Sequence, residues 1–549
     1  MKQIHLYIVS VVLLLFSACG NDNDELPGGD DNTPSAALRI EVSASDFTHV
    51  GSADTRATDS GSRTAFENGD RMGIIVLDKD GEILSDNIPY IYNSSAWSFD
   101  SNSSEGKVAV NYNNRAKTYL AYFPYTKQAD GIKSIDDLKA KLQPLSDQRG
   151  KEAYRASDLL VWSQTYETSP KVLTIAFEHA YCLLSFPSSV SVSCNINGAS
   201  TATTYESNWI SDVSFTLNGN PYSAYKAADG SYWIITTPQS MTTSDRWLVT
   251  YRAKTYSGSM SATTLAAQTR YTLAPSLSFG DYSLDKAKVG DFYCKDASGN
   301  GYLIPGDASL DQNTACIGIV CCTDANRIGE AAKTALSGKS VTTPHGLVMA
   351  LTNASEGCRW GDNYKDENSD GSDGTPFKDN TDKLNKQYNN VNGYAETRWI
   401  INTYGSSGTT LQDTYTAFYH AQRYGTADSG TSGYAAPDNT TGWFIPSMGQ
   451  WWDILSNLGG IDLSNYQNND RDGSAYISGA APTAVNNMNK YLDKISGATT
   501  FSLDTYFWSS SEYNSSRACH VSFYSGGYLY LVNSNKDNTD LRVRCVLAF

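Results

Sequence analysis

The chain has 549 residues, room for two to four domains, and its 36 Tyr, 43 Gly and only 7 Met suit a strand-rich extracellular protein. A formal net charge of -16 with no concentrated basic stretch argues against nucleic acid as a partner and against electrostatic docking on anionic membranes. The cysteines number 10; with one assigned below to a lipid, an odd number is left where disulfides are allowed, so at least one thiol stays unpaired or pairs between chains.

Residues 1–18 read as a signal peptide: Lys2 precedes an apolar run from Leu6 to Phe16 that is too short to span a bilayer comfortably, and Phe16-Ser17-Ala18 leads into Cys19. Cys19 is expected to become the first residue of an exported lipoprotein, its thiol carrying the lipid, so that the membrane is reached only through this anchor. Residues 19–37, rich in Asp, Asn and Gly, hold too few large apolar side chains to repay ordering and form an acidic tether. Strict alternation at Leu38, Ile40 and Val42 then predicts a half-buried strand. A polar, turn-rich stretch from Gly51 to Arg63 follows, with Arg56 and Arg63 as its basic residues.

Short strands are expected at Met72 to Leu77, Tyr119 to Phe123, Lys171 to Phe177, Cys182 to Phe186, Tyr232 to Thr236, Trp247 to Tyr251 and Gln268 to Leu273, separated by turn residues as in an all-β sandwich. One helix is predicted over Ser134 to Leu142, where Ser134 and Asp137 have capping-box spacing. After Ser283-Leu284-Asp285 helices join the strands: Asp324 to Ser337, Thr410 to Arg423, and Trp451 to Leu458 with Ser447 and Gln450 as its cap. The last 45 or so residues read as strand and turn, with Gly526-Gly527 bending a hairpin between His520 to Tyr524 and Tyr528 to Val532. Residues 285–549 therefore form a separate α+β domain.

Four stretches carry a family resemblance: Thr55-Arg56-Ala57, Thr64 to Ile74, Tyr119-Leu120-Ala121-Tyr122-Phe123-Pro124-Tyr125, and Ile175-Ala176-Phe177-Glu178-His179-Ala180. In this order behind a lipid cysteine they make the first 280 or so residues resemble the fimbrillins, the lipoprotein pilins of Bacteroides-like bacteria. The resemblance implies two tandem transthyretin-like β-sandwich domains, placed at 38–180 and 181–280. Gly442 to Trp451, Phe507-Trp508-Ser509-Ser510-Ser511-Glu512 and Val543-Arg544-Cys545-Val546 make residues 285–549 resemble C-type-lectin-like domains in fold. The sugar-coordinating Glu-Pro-Asn and Trp-Asn-Asp triplets of calcium-dependent lectins are absent from this sequence. The expected fold is thus mostly β, two sandwiches followed by an α+β C-type-lectin-like domain.

The fimbrillin resemblance also implies a trypsin-like protease that cuts after a basic residue, here Arg56 or Arg63, and frees the strand of Leu38, Ile40 and Val42 for replacement by a neighbouring subunit. Fimbrillins donate a strand from the C-terminus, whereas here Leu273 to Phe279 leads into a further domain, which looks sterically blocked. A subunit that accepts but does not donate belongs at the end of a pilus, so the expected function is a tip adhesin. It starts as an outer-membrane lipoprotein precursor and ends in a cell-surface pilus. Its partners are other fimbrillin subunits, the protease, and a host or bacterial surface glycan or protein. The alternative is a solitary surface glycan-binding lipoprotein that keeps its anchor.

No cofactor is expected, a calcium ion apart: Asp366, Asn368, Asp370 and Asp373 have the spacing of half a calcium loop, but Phe377 stands where a bidentate glutamate belongs, and a solvated acidic loop is preferred. Cys316, Cys321 and Cys322 lie in a strand-like run and read as buried thiols or one disulfide, while Cys519 and Cys545 are placed to bridge the terminal strands. His179 is taken as a satisfied core residue, and Glu512 with Arg544 as a buried ion pair rather than a catalytic acid and clamp. Lectin-like folds also occur in oxidases with a late paired-cysteine site, but Cys316 and Cys321 lie early, and no enzymatic activity is expected. Tyr524, Tyr528 and Tyr530 beside the glycine turn are the candidate ligand-stacking residues, with Trp399, Trp443, Trp451 and Trp452 as further candidates, half of such a set being ordinary core.

Overall fold

A computed structural model describes residues 38–50, 65–260, 264–310, 314–367, 375–377, 381–406, 408–470 and 473–549. They divide into two compact units, one of residues 38–47, 65–144 and 155–181, the other of 48–50, 145–154 and 182–549. No helix among the described residues is long and apolar enough to cross a membrane.

The first unit is built on a seven-stranded sheet in the order Arg39–Ala44, Val172–His179, Leu160–Thr165, Ala116–Phe123, Arg71–Asp78, Ile83–Asn93, Ala96–Phe99. Alternation places Leu173, Ile175, Phe177 and His179 inside, where they join Met72, Ile74, Val76, Tyr119 and Ala121. Gly73 is fixed by packing: a Cβ there would meet the Tyr122 ring at 2.3 Å. The predicted helix spans Ile135–Lys141, and Ser134 accepts from the Asp137 amide at 3.1 Å as its spacing requires.

In the second unit a four-stranded sheet (Asn220–Ser223, Ile210–Leu217, Arg246–Tyr251, Lys254–Ser259) accompanies a five-stranded one (Tyr225–Lys226, Tyr232–Thr236, Cys182–Phe186, Thr269–Thr272, Thr48–Val50) and a three-stranded one (Thr203–Ser207, Val190–Ile196, Ser276–Tyr282). Thr48–Val50 runs parallel to Thr269–Thr272, and Gln148 clamps the Ile235 backbone, donating to its carbonyl at 2.8 Å and accepting from its amide at 2.9 Å. Segments 48–50 and 145–154 therefore pack with this unit.

Two further sheets follow in the same unit. One runs Gly301–Ile304, Phe292–Lys295, Cys316–Cys322, Leu347–Ala350, Val546–Ala548; the other Ser355–Cys358, Leu541–Val543, Thr505–Asn514, Arg517–Phe523, Leu529–Asn535, Ala475–Ile477. One apolar core cluster reaches from Cys182 to Phe549, and a second gathers Trp360, Ile400, Phe418 and Trp508. Helix Met448–Asn457 carries the predicted capping box of Ser447 and Gln450. The predicted Asp324 to Ser337 helix is a short 3-10 turn at Ala325–Arg327 and a helix at Glu330–Ser337. They are separated by Gly329, whose φ of +81° and contact with the Val391 carbonyl exclude a side chain. The predicted Thr410 to Arg423 helix is likewise two pieces, Thr410–Asp413 and Thr416–Arg423, because buried Tyr415 between them turns its hydroxyl to Glu367.

Candidate assembly strand and binding surface

Strand Arg39–Ala44 lies at the edge of its sheet and pairs in parallel with Val172–His179, Ile40 opposite Leu173 and Val42 opposite Ile175. Leu38 is buried and Ile40 and Val42 half-buried against the core, while Arg39, Glu41 and Ser43 are exposed. The predicted alternation is thus present, and one face of four side chains, Leu38, Ile40, Val42 and Ala44, plus one ladder holds the strand. Cys19, Arg56 and Arg63 lie outside the described residues.

Of the acidic loop, Asp366 is half-buried; Asn368, Asp370 and Asp373 lie outside the described residues. Its neighbour Glu367 anchors the loop from within: Tyr404 and Tyr415 hydroxyls donate to its carboxylate, and its amide donates to Glu512 Oε1 at 2.9 Å. Burial pushes both carboxyls up, Glu512 to about 7 against the opposing pull of Lys536. Lys536 pairs with Glu512, donates to the Lys365 carbonyl at 2.6 Å and stands 5.0 Å over the Trp360 ring. The expected Glu512–Arg544 pair is therefore corrected. Phe507 faces Arg542 in parallel register, which carries Glu512 about three residues beyond Arg544, roughly 10 Å at 3.3 Å per residue. Arg544 instead donates to the Ala350 and Thr499 carbonyls at 3.1 and 2.7 Å. Among the described residues no group of three or more His, Cys, Asp or Glu side chains is placed to hold a metal ion.

Cys182, Cys194, Cys294, Cys316, Cys321, Cys322, Cys358, Cys519 and Cys545 are all buried free thiols. The expected Cys519–Cys545 bridge is absent; Cys519 Sγ lies 3.3 Å from Thr381 Oγ1 instead. His179 is satisfied in the core as expected, 2.7 Å from Asp158 Oδ1 and stacked on Phe47.

The hairpin brings the three predicted tyrosines together. The Tyr524 amide donates to the Tyr528 carbonyl at 3.0 Å, the Gly527 amide to the Tyr524 carbonyl at 2.9 Å, and the Ser525 amide to Asp504 Oδ1 at 2.9 Å, which braces the turn. Gly527 has φ +92°, and a Cβ on Gly526 would meet the Tyr524 ring at 2.6 Å. Tyr524 and Tyr530 stack at 5.7 Å with ring planes 19° apart, and Tyr528 lies 6.0 Å from Tyr530. Tyr476, which sequence reasoning missed, packs edge-on to Tyr530 at 4.9 Å from a strand of only three residues. Trp451 and Trp452 are core residues, and Trp399 and Trp443 are partly buried against core, so the tryptophan candidates do not join this surface.

Residues 55–281 match the family described as Fimbrillin-like. Over 95% of its length the chain is 24% identical to a candidate fimbrium tip subunit of Bacteroides ovatus, Fim1C, and spans 95% of that protein. Among solved structures it is similar to a fimbrial protein from Bacteroides ovatus, at 21% identity over 94% of this chain and 100% of that one with a TM-score of 0.34. It is also similar to a fimbrial assembly protein from Parabacteroides distasonis, at 10% identity over 49% and 100% with a TM-score of 0.25. Over residues 55–281 the chain is therefore similar to fimbrillin-like proteins.

Proposed function

We propose that this chain is the tip adhesin of a fimbria, exported as a lipoprotein through Cys19 and incorporated by proteolysis-coupled strand exchange. In this reading cleavage after Arg56 or Arg63 releases Arg39–Ala44, and a strand from the next subunit takes its place along Val172–His179. The C-terminal, lectin-like region of residues 285–549 is the adhesive part.

The observation that carries this reading is the placement of strand Ser276–Tyr282. It is paired in parallel with Val190–Ile196 of its own unit and continues through the 3-10 turn Leu284–Lys286 into Phe292–Lys295 of the following sheets. A strand tied at both ends is a poor donor, so the subunit accepts without donating and terminates a filament. The relative's description as a candidate fimbrium tip subunit supports the same role.

Fractionation tests the processing. A shorter, lipid-free form in sheared fimbriae, with an N-terminus directly after Arg56 or Arg63, is the expected result. Recovery of only the lipid-bearing chain in membranes assigns it to a solitary surface lipoprotein.

A further inference from the structure

We propose that the tyrosine face of the terminal six-stranded sheet binds a neutral glycan. The proposal deepens the adhesive reading above and is independent of the subunit's place in the filament.

Nine large hydrophobic side chains are exposed among the described residues, and four of them, Tyr476, Leu503, Tyr524 and Tyr528, gather at this one end of the sheet. Single exposed apolar residues are ordinary, whereas a cluster marks a contact surface. The register explains how the cluster forms. Tyr476 is opposite Tyr530, Tyr530 opposite Ser522, and Ser522 opposite Tyr506, so three tyrosines and one serine form a row on one face across four strands. Tyr524 and Tyr528 continue the same face around the braced turn.

Two buried polar atoms in the floor of this face lack a partner. Ser522, 2% exposed, sits between Tyr506 and Tyr530, and its Oγ makes no hydrogen bond. His520, 7% exposed and one row further in, leaves Nδ1 without a partner and lies 6.4 Å from the Tyr506 ring. Burial holds its imidazole neutral, down to about 3. A buried polar atom left unpaired has lost its hydrogen bonds to water, a loss that a ligand hydroxyl can make good. On the other side, Tyr476 forms the rim of a groove of about 740 Å³ lined also by Tyr466, Asn469, Asp470 and Ser474, within the size range of ordinary ligand sites.

These features select the occupant. A sugar ring presents a C–H face that stacks on aromatic rings and an edge of hydroxyls that pairs with amide, carboxylate and hydroxyl groups. Among the described residues the row and the groove lining contain no Lys or Arg, and the nearby Lys383 pairs with Asp470 at 2.9 Å. With a chain charge of -16, an acidic glycan is disfavoured and a neutral one fits.

The test is binding of the purified full chain to immobilised yeast mannan, xylan, dextran and asialomucin, before and after periodate oxidation of each probe. Tyr476→Ala and Tyr528→Ala probe the face. Tyr364→Ala, at an exposed residue outside the row and groove, is the control. Tyr476 is 59% and Tyr528 39% exposed and neither belongs to the core, so the variants retain the fold, which circular dichroism checks. The expected result is retention on at least one probe, lost on periodate treatment and weakened at least tenfold in Tyr476→Ala and Tyr528→Ala but not in Tyr364→Ala. Failure to bind any probe, or binding unchanged in both face variants, overturns the proposal. So does tyrosine-dependent binding to asialomucin that survives periodate, which would assign the face to a polypeptide partner. A filament-position experiment that places the subunit along the shaft leaves this binding result untouched.

Discussion

Arg252 and Asp291 form an ion pair whose side chains are 7% and 0% exposed, and it ties the turn after strand Arg246–Tyr251 to the region beginning at Phe292–Lys295. Asp291 is otherwise satisfied by the Tyr282 hydroxyl and the Lys288 amide, both at 2.8 Å, and by the Gly306 amide at 3.0 Å. Close by, Asp307 accepts from the Ser207 and Tyr251 hydroxyls.

Arg252→Ala strands a buried carboxylate and is expected to cost about 3–5 kcal/mol. Calorimetry should show the joint unfolding of residues 182–549 separate into two steps. Replacing both partners with apolar residues of similar volume should restore most of the loss, because the stranded charge is then gone.

Glu396 sets a pH dependence. It is buried on helix Gly393–Tyr404 with Asn390 and Ser510 as hydrogen-bond donors, and burial pushes its carboxyl up to about 7. A raised carboxyl favours the protonated form in the fold, so its contribution is complete below the unfolded value near 4.5 and disappears as pH rises through about 7. Unfolding free energy should fall by about 1.4 kcal/mol per pH unit across that window from this group alone. Glu512, also held near 7, acts in the same direction. Glu396→Gln should flatten the slope in denaturant titrations between pH 5 and pH 8.

The thiols give a chemical readout. With all nine described cysteines buried and unbridged, and burial pushing Cys182, Cys322, Cys358 and Cys519 up to about 12, the native chain should resist thiol reagents at pH 8. Denaturation without reductant should release all nine. A count lower by two for each missing pair would reveal disulfides.

Gly449→Ala tests the packing of the capped helix. A Cβ there would lie 2.4 Å from the carbonyl oxygens of Tyr388 and Asn390, backbone atoms that cannot swing aside. Overpacking of this kind should cost about 3 kcal/mol in chemical denaturation.

What was legible in the sequence was local. Ser447 and Gln450 announce a helix start, Leu38, Ile40 and Val42 announce a one-sided strand, and Gly526-Gly527 announces the hairpin, because each depends on near neighbours in the chain. What was missed depends on distant partners. Tyr476 acquires its role only through pairing with Tyr530, and Glu512 finds Lys536 rather than Arg544 because strand register, not composition, decides who meets whom. Helix Ala480–Leu492 was not predicted; its Pro482 is harmless in a first turn, where no amide partner is needed.

The most direct measurement is immunogold labelling of intact fimbriae with antibody to residues 285–549, combined with deletion of the gene. Labelling once per filament at the distal end, with shafts intact and attachment weakened in the deletion, is the expected result. Regular labelling along the shaft would show that the subunit both accepts and donates strands, contradicting the tip assignment.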